Sequence, residues 1–474
     1  MVFQSLDYLL FLLAVLAGYW SLPQRGQNML LLVASYFFYG YVHPWYCFLI
    51  GTTTVMDWAC ARWMKAYPEK KKAFLWMSLC TSFGMLGVFK YFGFFAENFI
   101  AVGRLFGLDL DDPVFRIALP AGISFHTFQS ASYVIDVYRG KMQARRSLLD
   151  YAVFDSFFPQ LVAGPIERAG HLLFQVEARR RFDPWQFRDG LVLILWGLFQ
   201  KKCIADNTAV IVNKVFALEQ NSFPLLWAGV LAFGVQIYSD FSAYTNIARG
   251  SAKLLGFEIC QNFNHPYLAS SPADFWRRWH ISLSTWFRDY VYIPLGGSRC
   301  SRWLNVRNIL ITFGLSGLWH GAHWNYVLWG LFHGVLVAGW HLATARSPAL
   351  ESGGGKAGHL ARVAATFVLV HIGWLMFREE SLAQLGRALT LSPFTAPREV
   401  WEAGLFLAAQ AMLFSLPMWV FPLVQGLAGP EGRRLPSPPT WRRTLMDAAL
   451  AALLLSGILV YSSPSASDFI YFRF

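Results

Sequence analysis

The stretch TLMDAALAALLLSGILVYS, residues 444–462, decides the fold class, because it is apolar over nearly its whole length. About twenty such residues give an α-helix the length to cross the hydrocarbon core of a bilayer. Similar runs lie near 6–22, 28–50, 73–99, 117–137, 151–164, 190–215, 223–248, 308–320, 324–345, 361–377 and 401–426. Backbone polar groups in lipid must pair within the protein, so these runs predict an all-α, polytopic helical bundle in a membrane.

The composition agrees with a membrane protein and argues against a soluble one. Of the 474 residues, 55% are hydrophobic, 17% are aromatic and 14% are charged, whereas soluble domains carry about 25% charged residues. The formal net charge of +12 follows the usual excess of Lys and Arg in cytoplasmic loops. We expect contact with membrane lipid and no nucleic-acid partner. We predict one integral membrane domain, 1–474, whose roughly eleven to thirteen spans and re-entrant or interfacial helices surround a central channel.

Loop charge predicts the orientation. The loops 61–72, 138–146, 177–181 and 432–443 are basic, which places them in the cytoplasm, and 107–113 is acidic, which places it outside. The last span then delivers the C-terminal tail, FIYFRF at 469–474, to the outer face. We interpret 351–358 and 435–439 as flexible linkers. The six cysteines form no CxxC pair, which favours small buried side chains over a disulfide framework or a metal site.

A first histidine lies in the tryptophan-rich segment DFWRRWHISLSTWFRDY, 274–290. Ser271 is a suitable helix cap and Asp274 suits the positive helix end, so we predict one helix through the whole segment, ending near Pro294. His280 lies at the margin of an apolar face formed by Trp276, Trp279, Leu283 and Trp286. One interpretation is an interfacial helix with a structural histidine. The other is a site whose arginines, Arg277 and Arg278, bind the phosphates of a coenzyme-A-like donor.

A second histidine, His320, lies in GLSGLWHGAHWNYVLWGLFHG, 314–334. Gly317 and Gly321 permit a close helix approach beside it. His323 gives HxxH spacing, but no carboxylate nearby completes a zinc set, so we predict no metal. His320 is either a packed core histidine or a functional group. A titratable ring at membrane depth usually marks a functional site, and a neutral imidazole can act as a general base.

The tail contains one phenol, Tyr471, among four aromatic rings. It is either an aromatic interface anchor or an acyl carrier. A phenol, with a pKa of about 10, is a better leaving group than a sugar alcohol and a poorer one than a thiol, at about 8.5. An acyl group passed from thioester to phenol to sugar therefore stays activated at the middle stage.

The chain resembles the membrane-bound O-acyltransferases, in particular the bacterial alginate O-acetyltransferase-like branch, with the teichoic-acid D-alanyl transferases as relatives. The matching stretches are PAGISFHTFQSASYVIDVYRG (120–140), FFPQLVAGPIER (157–168), QIYSDFSAYTNIARG (236–250), 274–297 and GLWHG (317–321). Gln160 and His126 depart from that branch, which has His in FPHL and Tyr in GISFY. The resemblance leaves the polymer open: alginate, cellulose or another exopolysaccharide.

The resemblance implies an O-acetyltransferase in the bacterial inner membrane with a periplasmic C-terminus and no bound cofactor. His320 would match the catalytic histidine and His280 the second family histidine, and Tyr471 would carry an acyl group from a cytoplasmic thioester of the acetyl-CoA class. An SGNH-type periplasmic acetyltransferase and a polysaccharide synthesis and secretion complex would be its partners. The residues that we expect to bind substrate or donor are Arg277, Arg278, Trp276, Asp289, Trp319, Tyr238 and Asp240. Alternatives are a D-alanyl, lipid or protein O-acyltransferase, a transporter component that relays protons, and a scaffold for a polymer synthase.

Overall fold

A computed structural model of the chain describes residues 1–108, 110–111, 120–162, 164–379, 381–428, 441–463 and 469–470. Every regular element in these ranges is helical, which confirms the predicted all-α class. The first helices are α1 (Leu6–Tyr19), α2 (Gln24–Gly40), α3 (Tyr46–Ala66), α4 (Lys71–Leu86), α5 (Phe92–Leu105), α6 (Ile123–Tyr138) and α7 (Leu148–Ser156). Next come α8 (Phe158–Leu161), α9 (Ala169–Glu177), α10 (Pro184–Phe199), α11 (Asp206–Phe216), α12 (Phe223–Leu254), α13 (Pro272–Arg278) and α14 (Ile281–Phe287). The last are α15 (Arg302–His320), α16 (Trp324–Arg346), α17 (Ala349–Ser352), α18 (Gly355–Arg378), α19 (Leu382–Thr390), α20 (Arg398–Ala428) and α21 (Trp441–Tyr461).

Six helical segments of the described chain are long and apolar enough to cross a membrane. They are Pro68–Leu105, Phe223–Leu254, Trp324–Arg346, Gly355–Arg378, Arg398–Phe421 and Thr444–Tyr461. The apolar stretch at 444–462 therefore lies almost entirely in one long helix, α21, as its composition predicts. Among the shorter helices, α7 and α8 are buried along most or all of their length, as expected of pieces that pack inside the protein instead of crossing alone.

The centre of the bundle is α12, which is buried along most of its length. Glycines on both helices allow α10 to approach α12 at backbone distance: a Cβ at Gly250 would lie 2.6 Å from the carbonyl oxygen of Gly190. Further along, a Cβ at Gly197 would lie 2.7 Å from the carbonyl oxygen of Ala243. Such contacts are the usual way in which membrane helices pack when no hydrophobic driving force acts between them.

The prediction of one helix through 274–290 is wrong. Ser271 caps the start, with its Oγ accepting from the backbone N–H of Asp274 at 3.0 Å, but the helix breaks at Trp279 and His280. His280 adopts φ 42° and ψ 54°, in the left-handed region. The break is held by a neighbouring loop, since the N–H of Ile281 donates to the carbonyl oxygen of Asn262 at 3.0 Å. The tertiary contact with Asn262 therefore overrides the local preference of this segment for a continuous helix.

The hairpin of α15 and α16 confirms the predicted close approach around His320. A Cβ at Gly317 would collide with the carbonyl oxygen of Tyr326, and one at Gly321 would collide with the Tyr326 ring. Two smaller predictions are wrong. Most of the 351–358 linker is helical, because α18 begins at Gly355, and the cysteines are not uniformly buried, because Cys80 and Cys260 are exposed. The linker 435–439 and part of the loop 107–113 lie outside the described residues.

Candidate active site

The fold brings the two histidines together although they lie on different helices. His280 stands at the break between α13 and α14, and His320 is the last residue of α15. Their ring centroids are 6.4 Å apart, with the ring planes inclined at 63°. His280 is fully buried, and His320 retains 2% of its exposure. Two imidazoles at this separation can act on one reacting group.

Aromatic side chains enclose both rings. Trp319 lies beside both, with ring centroids 5.9 Å from His280 and 5.0 Å from His320. The remaining neighbours complete the wall: Phe241 and Phe125 beside His280, and Trp329 and Phe377 beside His320. An apolar wall keeps bulk water from the site and strengthens each electrostatic interaction inside it. The tryptophans of 274–290 are thus interior residues, and the interpretation of that segment as an interfacial helix is wrong.

The backbone around His280 is held by a chain of hydrogen bonds from three segments. Ser282 Oγ donates to Asn262 Oδ1 at 2.7 Å, and Ser282 Oγ also accepts from the backbone N–H of Ile166 at 3.0 Å. A left-handed conformation at a residue other than glycine costs about 1–3 kcal/mol and persists where its surroundings fix it. These contacts fix the direction in which the His280 ring leaves the backbone.

Lys90 is a site residue that the sequence analysis did not single out. Its Nζ donates to the carbonyl oxygens of Trp319 at 2.6 Å and of His320 at 3.2 Å. These carbonyls end α15, where a cation is favoured by the helix dipole. The signal was present in the sequence, since Lys90 is a lone lysine inside the apolar run 73–99, the same kind of signal that identified the histidines.

The two described residues of the C-terminal tail, Phe469 and Ile470, lie in the protein interior. Phe469 is fully buried and Ile470 is 4% exposed. The Phe469 ring stacks on Tyr244 at 3.8 Å and lies 6.0 Å from Phe241, and Phe241 in turn lies 4.7 Å from the His280 ring. Tyr471, the next residue in the sequence, lies outside the described residues.

Asp240 and Tyr238, both predicted to bind substrate or donor, lie on α12 with different surroundings. Asp240 Oδ1 forms an ion pair with Lys201 Nζ at 2.9 Å, and Lys201 also pairs with Asp206 at 3.0 Å. Asp240 Oδ2 accepts from the backbone N–H of Ile470 at 2.8 Å. Tyr238 instead belongs to an aromatic cluster, with its ring 6.1 Å from that of Trp279. Asp240 thus contacts the tail, whereas Tyr238 supports the segment that carries His280.

A cavity of about 450 Å³ opens beside α13 and α15. Its wall includes Trp276, Arg277, Arg288 and Ser316, and Ser316 precedes His320 by one helical turn. The exposed Arg277 and Arg288 side chains line it, with Arg288 paired to Asp289 at 2.8 Å. The other predicted arginine of the site, Arg278, pairs with Asp274 at 3.0 Å. The cavity thus has an apolar body and a cationic edge.

One cluster of possible metal ligands occurs within the described ranges. It includes neither His320 nor the exposed His323, the two histidines of the HxxH spacing. It comprises Glu167, His171 and Cys260, whose ligand atoms lie within 4.8 Å of one another. His171 Nδ1 lies 3.9 Å from Cys260 Sγ and 2.7 Å from Glu167 Oε2. Hydrogen bonds with Cys260 and then Glu167 raise the pKa of His171 to about 10. The two oxygens of Glu167 also tie segments together, because the other one accepts from the backbone N–H of Cys260 at 2.5 Å.

Comparisons of the chain with known proteins identify its family. The family model of MBOAT, the membrane-bound O-acyltransferase family, covers residues 142–377, which include both histidines. The chain is 36% identical to the probable alginate O-acetylase AlgI of Pseudomonas putida over the whole of both chains. It is 33% identical to the peptidoglycan O-acetyltransferase of Helicobacter pylori, over 77% of this chain and 74% of that protein. It is 31% identical to the teichoic acid D-alanyltransferase of Bacillus subtilis, over 46% of this chain and 57% of that protein. The chain therefore belongs to the membrane-bound O-acyltransferase family and is a multi-pass membrane enzyme that transfers acyl groups to oxygen.

Proposed function

We propose that this enzyme takes an acetyl group from a cytoplasmic thioester of the acetyl-CoA class, loads it on Tyr471 and offers it for O-acetylation of an exported polysaccharide. The alginate O-acetylase and peptidoglycan O-acetyltransferase names of its relatives support an acetyl group and a polysaccharide acceptor. In this proposal the protein lies in the bacterial inner membrane with a periplasmic C-terminus. A periplasmic SGNH-type acetyltransferase then moves the group from Tyr471 to the polymer within a synthesis and secretion complex.

The observation that carries the proposal is the position of the tail beside the histidine pair. Phe241 lies between them, with its ring 6.0 Å from Phe469 and 4.7 Å from His280. Tyr471 follows Ile470 directly, and consecutive Cα atoms are about 3.8 Å apart. An aromatic interface anchor, the alternative role for this tail, would have its rings at the membrane surface, whereas Phe469 is fully buried.

The chemistry needs one base and one leaving group. His320 removes the phenolic proton of Tyr471 while the oxygen attacks the thioester carbonyl. The tetrahedral intermediate collapses with loss of the thiolate, which takes up a proton, and acetyl-Tyr471 remains. His280, 6.4 Å from His320, positions the reactants or relays the proton. In the second half, an acceptor hydroxyl attacks the phenyl ester and the phenol is released.

The cavity beside α13 supplies an approach for the donor. Its apolar body suits the pantetheine arm, and Arg277 and Arg288 on its lining suit the donor's phosphates, because a guanidinium matches phosphate geometry. Arg299 and Arg302, at the start of α15, are consistent with a cytoplasmic location for this end of the hairpin. Donor and tail would then reach the histidines from different directions.

The test is the mass of the C-terminal peptide after the purified full-length protein is incubated with acetyl-CoA. Acetylation of Tyr471 is expected in the wild type and in Tyr461→Phe, whose exposed tyrosine at the end of α21 is the matched control. Tyr471→Phe and His320→Ala are expected to abolish it and to abolish polymer acetylation in cells. Normal polymer acetylation in both variants would refute the relay. A D-alanyl adduct from a loaded carrier, with no acetyl adduct, would identify the D-alanyl alternative.

A further inference from the structure

We propose that Asp240 is a positioning residue that anchors the C-terminal tail inside the protein and so sets the location of Tyr471. The inference rests on the proposed function for its catalytic meaning, but the anchoring itself is a separate property. Asp240 lies on α12, the central helix, whereas Ile470 lies in the last residues of the chain. The contact between Asp240 Oδ2 and the Ile470 backbone N–H, at 2.8 Å, joins these distant parts.

The anchor is a buried charge cluster with an acceptor that serves the tail. Lys201 and Asp206 are fully buried, and the side chain of Asp240 is 1% exposed. When ionised, the three side chains carry two negative charges and one positive charge. Buried carboxylates require paired charges and hydrogen-bond donors. Asp240 has the Lys201 ammonium as an ion-pair partner at Oδ1 and the tail amide as a donor to Oδ2. The tail therefore contributes to a cluster that is expensive to leave incomplete.

A second contact holds the tail one residue earlier. The Phe469 ring stacks on Tyr244, four residues after Asp240 on α12, with centroids 3.8 Å apart. Tyr244 is itself fixed, because its hydroxyl donates to Gln4 Oε1 at 2.8 Å and its ring lies 5.6 Å from Phe3. Consecutive tail residues thus bind one helix, the first by its side chain and the second by its backbone. A backbone contact fixes the register of the chain, and it does so whatever the side chain of residue 470.

The helix before the tail ends against the segment that carries the other two cluster residues. Asn207 Nδ2 donates to the carbonyl oxygen of Tyr461, the last residue of α21, at 2.8 Å. Asn207 directly follows Asp206, so the same short segment supports the cluster and the point from which the tail departs. Contacts with these segments therefore hold the chain at two points, the end of α21 at Tyr461 and Ile470 in the tail.

The test compares Asp240→Asn with Asp206→Asn in the full-length protein by hydrogen–deuterium exchange of the peptide that covers the tail. In Asp240→Asn, Lys201 attracts the amide oxygen, which turns the amide nitrogen toward the Ile470 N–H and removes the acceptor. Asp206→Asn takes the same charge from the same lysine without changing the tail contact. Loss of a hydrogen bond to a charged group predicts tail exchange about tenfold faster or more in Asp240→Asn and close to the wild-type rate in Asp206→Asn.

A second pair of variants covers the case in which Asp240→Asn does not fold. Ile470→Pro has no backbone N–H and leaves the charge cluster intact, whereas Ile470→Ala keeps the donor. Faster exchange of the tail in Ile470→Pro than in Ile470→Ala supports the anchor. Equal tail exchange within both pairs overturns it. Tail protection that depends on Asp240 in a protein whose Tyr471 is never acetylated supports the anchor and refutes the proposed function.

Discussion

The contact of Lys90 with the end of α15 yields a quantitative test of how His320 is held. In Lys90→Met the shape of the side chain is largely kept, but the donors to the carbonyls of Trp319 and His320, at 2.6 and 3.2 Å, are lost. Hydrogen bonds involving a charged group contribute about 1.5–3 kcal/mol each. Methionine avoids the cost of burying an ammonium, which offsets part of this loss. We expect a net destabilisation of about 1–3 kcal/mol.

The same substitution is also expected to slow catalysis. Without its cation, the last turn of α15 is free to shift, and His320 is the residue at that end. A displacement of about 1 Å in a reacting group lowers the rate by about a hundredfold. We therefore expect kcat for the acetylation of Tyr471 to fall by about ten- to a hundredfold. KM for the thioester should change little, because Lys90 does not line the cavity beside α13.

The matched control is Tyr91→Phe, which removes the hydrogen bond from the Tyr91 hydroxyl to the carbonyl oxygen of Leu318, at 3.0 Å. It affects the same helix end without the charge, so we expect a loss of about 0.5–1.5 kcal/mol and nearly unchanged kcat. The assays are thermal unfolding in detergent and initial rates of acetylation. Equal kcat in Lys90→Met and Tyr91→Phe would show that the lysine does not position His320, and the reasoning would fail.

Three further predictions concern packing, the donor and pH. In Gly330→Ala, the new Cβ would collide with backbone across the α15–α16 hairpin, so stability should fall by about 1–3 kcal/mol. In the control Gly339→Ala, on the same helix, the Cβ meets open space, and the change should be neutral or stabilising. Equal melting temperatures would contradict the packing argument. The double variant Arg277→Ala and Arg288→Ala is expected to raise KM for the thioester about tenfold, and added salt should raise KM in the wild type more than in the variant; an unchanged KM would remove these residues from the donor site. The pKa of His171 is about 10 in the folded protein and about 6.5 in the unfolded chain. The stability from this shift is complete below about pH 6.5 and is lost as pH rises through about 10. The melting temperature should therefore fall over that pH range more in the wild type than in His171→Gln.

The helical class and the approximate position of the long helices could be predicted from the sequence, because both follow from local apolarity and length. Residues 444–462 and α21, Trp441–Tyr461, agree closely. The helix start at Ser271 was also predictable, since capping depends on residues within one turn. The break at His280 was not, because its partner Asn262 lies eighteen residues earlier and nothing in the local pattern shows that its carbonyl will accept from Ile281.

The candidate site shows the same division between local and distant information. His280 and His320 could each be identified from an apolar neighbourhood, but their 6.4 Å separation depends on how α13, α14 and α15 pack. Asp240 was selected as a binding residue by the matching stretch 236–250, yet its contacts with Lys201 and Ile470 require three distant segments. A buried polar residue is visible in a sequence, whereas its partner is visible only in the fold.

The left-handed backbone at His280 is the strongest indication that the conformation of this segment serves a role other than packing. A continuous helix would avoid a cost of about 1–3 kcal/mol and would bury the same tryptophans on one face, as the sequence pattern predicts. The break has that cost, and hydrogen bonds with Asn262 and Ile166 maintain it. The break changes the direction of the His280 ring relative to the helix, and the ring ends between Phe241, beside the tail, and His320. A structural histidine in a regular helix needs none of these arrangements, whereas a histidine that must reach a tail and a second imidazole together needs its direction fixed.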